Sequence, residues 1–330
     1  MTLGASNPPA EAMPSVPTGY VAAAKEAAPG VVGYRTPPMP RDGSRERGRR
    51  AQLAIYSLLV LGAIAMLIPF AFMISSSLKT NVEVAAGTLG LPEKAQWDNY
   101  PNALKKMGMR VPEGQFWRVT FPALSNTVVI TTLSVLGQIV SSSLVGFGFA
   151  RFRFRGRGVL FMIMLSTMML PAQVTMIPVF VLFRYLGMID TFWPLIIPMW
   201  LASPFFVFMF RQFFAQIPEE LIEAARIDGA SNWRIYWQLM LPLCGPVIAI
   251  VAIYTFLGSW NDFLGPLIYL NDPENRTIAL ALNAFKGQYG TREAQLLLAA
   301  SAVCMLPCIV LFFAAQKYFV ESVAMTGLKS

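Results

Sequence analysis

Residues 223–242 read EAARIDGASNWRIYWQLMLP, a polar block set between two strongly apolar stretches. The block opens a few residues earlier, at QIPEELIEAARIDGA. Pro218 suits the first turn of a helix, where its missing N–H is not needed. Glu219 and Glu220 then meet the positive end of the helix dipole. Leu221, Ala224 and Ala225 form an apolar stripe with Ile217 leading in, and Glu223 can pair with Arg226 one turn on. Gly229 stands where a helix closes with a left-handed residue. Ser231 can cap a second helix carrying Trp233, Ile235, Tyr236 and Trp237, which Pro242 should end. The expectation is helix, turn, helix, with two small side chains at an exposed tip. An amphipathic helix lying on a membrane surface is the competing reading.

Moving outward, the chain has 330 residues, of which 55% are hydrophobic and only 13% charged. Its mean hydropathy is +0.52. Soluble domains carry roughly 25% charged residues, so a polytopic membrane protein is expected. Six apolar spans stand at 51–74, 123–150, 159–183, 192–210, 243–270 and 294–315. Each approaches the roughly 20 residues needed to cross a bilayer as a helix. Pro171 and Pro178 interrupt the third span, and Pro194, Pro198 and Pro204 the fourth; each should kink its helix. Residues 1–50 hold eight of the 24 prolines and end in RDGSRERGRR. They read as a disordered basic cytoplasmic tail and lack a signal-peptide pattern.

The net charge of +8 sits in short loops rather than on an aromatic-interleaved basic face, so no nucleic-acid partner is expected. Arg151, Arg153, Arg155 and Arg157 fall within RFRFRGR, between the second and third spans. Placing that loop in the cytoplasm makes both termini cytoplasmic.

There is no histidine. That removes histidine-based triads, proton relays and the usual zinc hydrolase sites. Cys244, Cys304 and Cys308 all lie in apolar spans and read as small buried hydrophobes, with no metal site or disulfide. Asp262 is the single formal charge inside the spans, thin support for ion-driven transport. No GxxxxGK[ST] loop is present to hold nucleotide phosphates. Energy for any transport must therefore enter from another subunit.

The block 223–242 resembles the EAA loop of binding-protein-dependent ABC transporter permeases: EAA, three residues, glycine, nine residues, then I-x-L-P. Glu223, Ala224, Ala225, Gly229, Leu241 and Pro242 fill that pattern, and Leu239 replaces the usual isoleucine. GFGFARFRFRGRG, WNDFLGPLIYLNDPENRT and the closing QKYFVESVAMTGLKS resemble the carbohydrate branch, in particular its MalG-like members. Gly265 stands where a bulky residue is common, and Ser330 where glycine often ends the chain.

The resemblance implies an all-α type I ABC importer permease fold over 51–330, with a cytoplasmic EAA coupling loop at 214–242. It implies that Glu223, Ala224, Ala225, Asp228, Gly229, Leu241 and Pro242 form the element seated in a MalK-like ATPase dimer. That dimer would hold ATP and Mg, and this chain no cofactor. A MalF-like second permease and an extracytoplasmic solute-binding protein would complete the machine in a bacterial or archaeal cytoplasmic membrane. The chain itself would do no bond-making. For a carbohydrate substrate, Trp260, Asn261, Asp262, Gln138 and Gln173 are candidate pathway residues, supplying ring faces and hydrogen-bonding groups. Trp260 equally suits packing between helices, and Thr131, Ser141 and Thr175 equally suit helix joining. A sugar alcohol or glycerol phosphate is the alternative cargo, though phosphate should call for cationic groups that the spans lack. An integral membrane enzyme is the reading from another class, with few chemical groups to serve it.

Overall fold

The computed structural model describes residues 43–88, 90–110, 120–289 and 292–327. Two compact units divide the chain, Met1–Met66 and Leu67–Ser330. Among the described residues the structure is helical, with a lone bridge between Arg110 and Thr120 and no strand. Most of the tail expected at 1–50 lies outside the described residues, and from Gly43 the chain is helical.

Helix α1 spans Gly43–Ser77. Its apolar side chains are turned outward, with Leu58 at 72% and Met66 at 76% exposure. Water would penalise such a surface heavily, and hydrocarbon would not. Two short helices, α2 (Asn81–Ala85) and α3 (Asn99–Lys106), follow. The central helix, α4, runs from Pro122 to Arg151, with its proline at the start, where no N–H is missed.

Among the described residues, four helices are long and apolar enough to cross a membrane, or up to six if each bent pair counts as one. The third expected span is one of those pairs: α5 (Arg157–Ser166) with its short 3₁₀ extension meets α6 (Ala172–Tyr185) at 97°. Pro171 causes the break, because it forces Leu170 into an extended conformation (ψ 120°) and supplies no N–H. Pro178, in contrast, lies within α6, which continues to Tyr185. The fourth span starts as α7 (Trp193–Ile196), tightens to 3₁₀ over Ile197–Leu201, turns at Ala202 (φ 62°) and resumes as α8. Helix α8 covers Pro204–Gln216, several residues past the expected end.

The polar block follows as α9 (Glu219–Ile227) and α10 (Asn232–Arg234). A π-helix at Ile235–Met240 then leads into α11 (Leu241–Leu243). Pro242 therefore does not end the second helix as expected. The wide π turn lies just ahead of it and relieves the clash between its ring and the carbonyl of Gln238. The turn at Cys244 opens α12 (Gly245–Trp260), bent from the preceding segment by 77°. Helix α13 (Leu264–Tyr269) completes the fifth span after a break at 261–263. Then come α14 (Ile278–Tyr289) and α15 (Ala294–Gly327).

Small residues let neighbours come close to α4. A Cβ on Gly146 would lie 2.7 Å from Phe210 Cβ and 3.2 Å from the backbone of Val207 and Arg211. Close approach of this kind is how helices associate in lipid, where burial supplies little drive. Elsewhere a clasp joins two loops. Asp190 accepts the N–H of Asn271 (2.9 Å) and of Asp272 (3.0 Å), and its own N–H reaches Tyr269 O (2.8 Å).

Two outcomes follow from this packing. Gly146→Leu should lower stability in detergent by about 1–3 kcal/mol, read as a lower thermal midpoint, with Gly146→Ala intermediate. At Asp190, the N–H of Asp272 first, then that of Asn271 and the Asn275 amide, hold the carboxyl below the usual aspartate range. A lowered folded pKa makes the clasp's contribution complete above the unfolded value and lost as pH falls through the folded one. Thermal melts of Asp190→Asn should therefore trail wild type near neutrality and converge with it in acid.

Candidate functional site

The EAA element is held from below by a cluster of buried side chains. Ile222, Ile235, Tyr236 and Met240 join Phe147 of α4, Phe210 and Phe214 of α8, and Val247 and Val251 of α12. Within α9 the inward face is Ile222 (2% exposed) with Ala225 one turn on, so the expected stripe of Leu221, Ala224 and Ala225 is displaced by one residue. Pro218 is the cap rather than the first helical residue, and the helix starts at Glu219. Leu221, Glu223, Ala224, Arg226 and Ile227 face outward, Ile227 at 87% exposure. Glu223 and Arg226 form no ion pair, and both point into solvent.

The turn is built as its residues dictate. Asp228 closes α9, Gly229 takes φ 78°, and Ala230 N–H returns to Ala225 O at 2.9 Å. Ser231 caps α10 by accepting the Arg234 N–H at 3.3 Å. Trp233 stacks on Tyr236 at 5.6 Å, and Trp237 meets both edge-on at 5.9 and 5.2 Å. Only Tyr236 is fully buried; the two tryptophans stay largely open. Leu241 and Pro242 sit in α11, at the joint where the element turns into α12.

Two contacts that the sequence reading did not pick out fix this element to α4. Arg151 donates to Phe214 O and Ile217 O (2.7 Å) at the end of α8, where Phe214 O also accepts the Ile217 N–H at 3.3 Å. Tyr236 Oη and Ser143 Oγ share a hydrogen bond of 2.7 Å inside the core. Of the four arginines in RFRFRGR, Arg151 is thus turned inward.

The pathway candidates do not converge on one place. Gln173 and Asp262 line one groove of about 370 Å³, with Thr175, Gly265 and Tyr269. It opens at the two helix breaks, after Pro171 and after Trp260. Asp262 accepts the Gly265 N–H at 3.1 Å, and a Cβ on Gly265 would lie 2.4 Å from the same carboxylate. The absence of a side chain at Gly265 is what permits this pose of Asp262. Gln138 is elsewhere: it is buried and donates to Ser142 Oγ. Trp260 is 4% exposed, stacks on Phe256 at 5.3 Å and donates to Cys304 O at 3.1 Å. Its ring packs between α12 and α15. Asn261 is exposed and donates to Leu257 O at 2.9 Å. Thr131 reaches Ser259 Oγ (3.2 Å) and Ser141 reaches Met199 O (3.3 Å), both across helices. Among the described residues no cluster of histidine, cysteine or acidic side chains could hold a metal ion, and the three cysteines are free.

A helical membrane chain with an exposed, internally anchored EAA element defines a class, the permease subunits. The profile described as "Binding-protein-dependent transport system inner membrane component" matches residues 142–325, and this chain belongs to that family. It is a multi-pass permease subunit of an ABC importer in the cell membrane, not an enzyme. It is 31% identical over 281 residues to an arabinooligosaccharides transport system permease protein of Bacillus subtilis, covering 84% of this chain and 96% of that one. It is 33% identical over 277 residues to an sn-glycerol-3-phosphate transport system permease protein of Escherichia coli, covering 82% and 96%. A crystal structure of a bacterial ABC transporter involved in importing the acidic polysaccharide alginate contains a chain with the same fold. That chain has a TM-score of 0.71 at 24% identity, with 86% of this chain and all of that one covered.

Loss of the Arg151 side chain leaves Ile217 O unpartnered and Phe214 O with only its long bond from Ile217 N–H at a buried joint. Arg151→Ala should lower stability by about 1–3 kcal/mol. Ser143→Ala and Tyr236→Phe should couple by about 1 kcal/mol in a double-mutant cycle read by detergent melts.

Proposed function

We propose that this chain is the permease subunit of an ATP-driven importer for a sugar or oligosaccharide, and that α9 is the element through which an ATPase drives it. The observation that carries the proposal is the anchored and exposed EAA helix. Ile222, Ala225 and Tyr236 bind it to the helices that pack on it, while Leu221, Glu223, Ala224 and Ile227 are left for a partner. Ile227 (87% exposed) and Leu221 (46%) add apolar surface to the outward side of an otherwise polar helix. A small residue at Ala224 permits the close backbone approach that a cleft on an ATPase would need. ATP and Mg then belong to that partner, and this chain binds no cofactor. The family's dependence on binding proteins supports an extracytoplasmic solute-binding protein as the source of the cargo, with a second permease completing the path.

The topology in this reading is six spans, with RFRFRGR and the EAA element in the cytoplasm. For the cargo, the groove shared by Gln173, Thr175 and Asp262 offers amide, hydroxyl and carboxylate groups suited to a polyhydroxylated solute. No basic side chain lines it, which disfavours a phosphate. The arabinooligosaccharide relative points the same way.

The test is reconstitution with the ATPase, binding protein and second permease in proteoliposomes. Ala224→Trp should weaken docking by about 2 kcal/mol or more and abolish uptake and stimulated ATP hydrolysis while the chain still inserts. Gly229→Pro should do the same by breaking the turn. Uptake at the wild-type level in either variant would overturn the assignment. In intact cells, a cysteine replacing Arg155 should react with a membrane-impermeant maleimide only after permeabilisation. Reaction from outside would reverse the topology.

A further inference from the structure

Helix α4 joins the EAA element at one end to a second cluster of loops at the other. Near its C-terminus, Arg151 holds Phe214 O and Ile217 O, just before α9 begins. Ser143 holds Tyr236, just after α9 and its turn. Phe147 lies between them, its ring 5.9 Å from Phe214 and 5.3 Å from Tyr236. The segments entering and leaving α9 are therefore both fastened to the same helix.

At the N-terminal end, Asn126 donates to Glu274 O (2.7 Å) and Arg276 O (3.1 Å). Thr127, 1% exposed, accepts the Ile278 N–H at 2.8 Å, at the first residue of α14. The segment it grips is a junction. Asn271, Asp272 and Asn275 hold Asp190, and Glu274 pairs with Arg110. Connections from three parts of the chain thus meet where α4 starts. From Asn126 to Arg151 is about 37 Å at 1.5 Å per residue.

Among the described helices that pack on the EAA element, α4 alone is a long unbroken rod. Helix α8 begins anew after Ala202, and α12 is set off by a 77° bend and ends at Asn261. A push on α9 can be absorbed at those breaks, whereas α4 offers no hinge between its ends. Its seam with α12 is packed mainly by apolar side chains and carries little polar bridging. The hydroxyl pair Thr131–Ser259 crosses it, while Ser134 Oγ and Thr255 Oγ1, about one turn along, are buried without partners.

We propose that Asn126 and Thr127 are positioning residues for coupling. They fasten the 274–278 segment to α4, so that ATP-driven displacement of the EAA element is delivered to that segment along one rigid helix. This rests on the reading of α9 as the coupling element. Arg151 and Ser143 form the driven end of the rod, and Asn126 and Thr127 its delivering end.

The complete transporter in proteoliposomes tests it, with Thr127→Val, Asn126→Ala and the conservative Thr127→Ser. Each hydrogen bond is worth about fivefold. Thr127→Val and Asn126→Ala should each cut uptake about fivefold or more and abolish stimulation of ATP hydrolysis by loaded binding protein. Basal hydrolysis and copurification with the ATPase should be unchanged, so that more ATP is spent per solute moved. Thr127→Ser should restore coupling. Wild-type uptake in both disruptive variants, or a serine variant as impaired as the valine one, would overturn the proposal. So would loss of assembly along with uptake, which would make the two residues purely structural. Ala224→Trp in the same assay separates the premises. If it leaves stimulation intact, the coupling reading fails; if it abolishes stimulation while Asn126 and Thr127 prove dispensable, only the rod fails.

Discussion

Arg151 closes the carbonyls of Phe214 and Ile217, and the arrangement around the EAA element depends on that closure. Helix α8 ends there with Phe214 O held by the backbone only through a long bond from Ile217 N–H (3.3 Å), and Ile217 O beside it, against a core of Phe147, Phe210 and Phe214. Water could complete their bonding only by entering that core. A guanidinium from the neighbouring helix satisfies two at once, and the fork geometry of arginine makes this possible where a lysine would supply a single point charge. With α8 terminated against α4, Pro218 turns the chain and α9 begins at a fixed place. Ile222 then falls into the core and Ala224 falls outside it.

The same economy explains why the middle of the chain is so broken. Breaks after Pro171, at Ala202, at Cys244 and at 261–263 all release backbone groups within an apolar protein. Such breaks are tolerated in a bilayer where side chains or a cavity receive the freed groups. Asp262 does this at one of them by accepting the Gly265 N–H. The breaks after Pro171 and Trp260 also border the groove that holds Gln173 and Asp262, so the irregular backbone and the polar lining occur together.

What the sequence carried plainly was anything enforced by a single local rule. Apolar length predicted most helices, and Gly229 and Ser231 predicted the turn and cap. Pro171 predicted a kink, though not one of 97°. What it concealed depended on partners distant in the chain. Nothing local says that Arg151 turns inward while Arg153 and Arg155 stay exposed, because the carbonyls it serves lie more than sixty residues away. The one-residue shift of the stripe on α9 had the same origin: helical periodicity gives the spacing of a face, and the starting residue depends on how the preceding helix ends. Pro242 misled for a different reason. A proline stops a regular α-helix, and the π turn ahead of it is an accommodation that residue propensities do not encode.

On the proposed reading of the groove as a solute path, Trp260 and Asp262, neighbours in one motif, divide their roles. The tryptophan is 4% exposed, stacked on Phe256 and bonded to Cys304 O, and it does not line that groove. The polar lining that remains is Gln173, Thr175 and Asp262, with no cation beside it. A phosphorylated solute passing here would lose water without gaining a counter-charge, at a cost of several kcal/mol. A neutral polyol would exchange its water for amide and carboxylate groups at little net cost. Selectivity by omission of positive charge needs no tight site, which suits a path that must release what it admits.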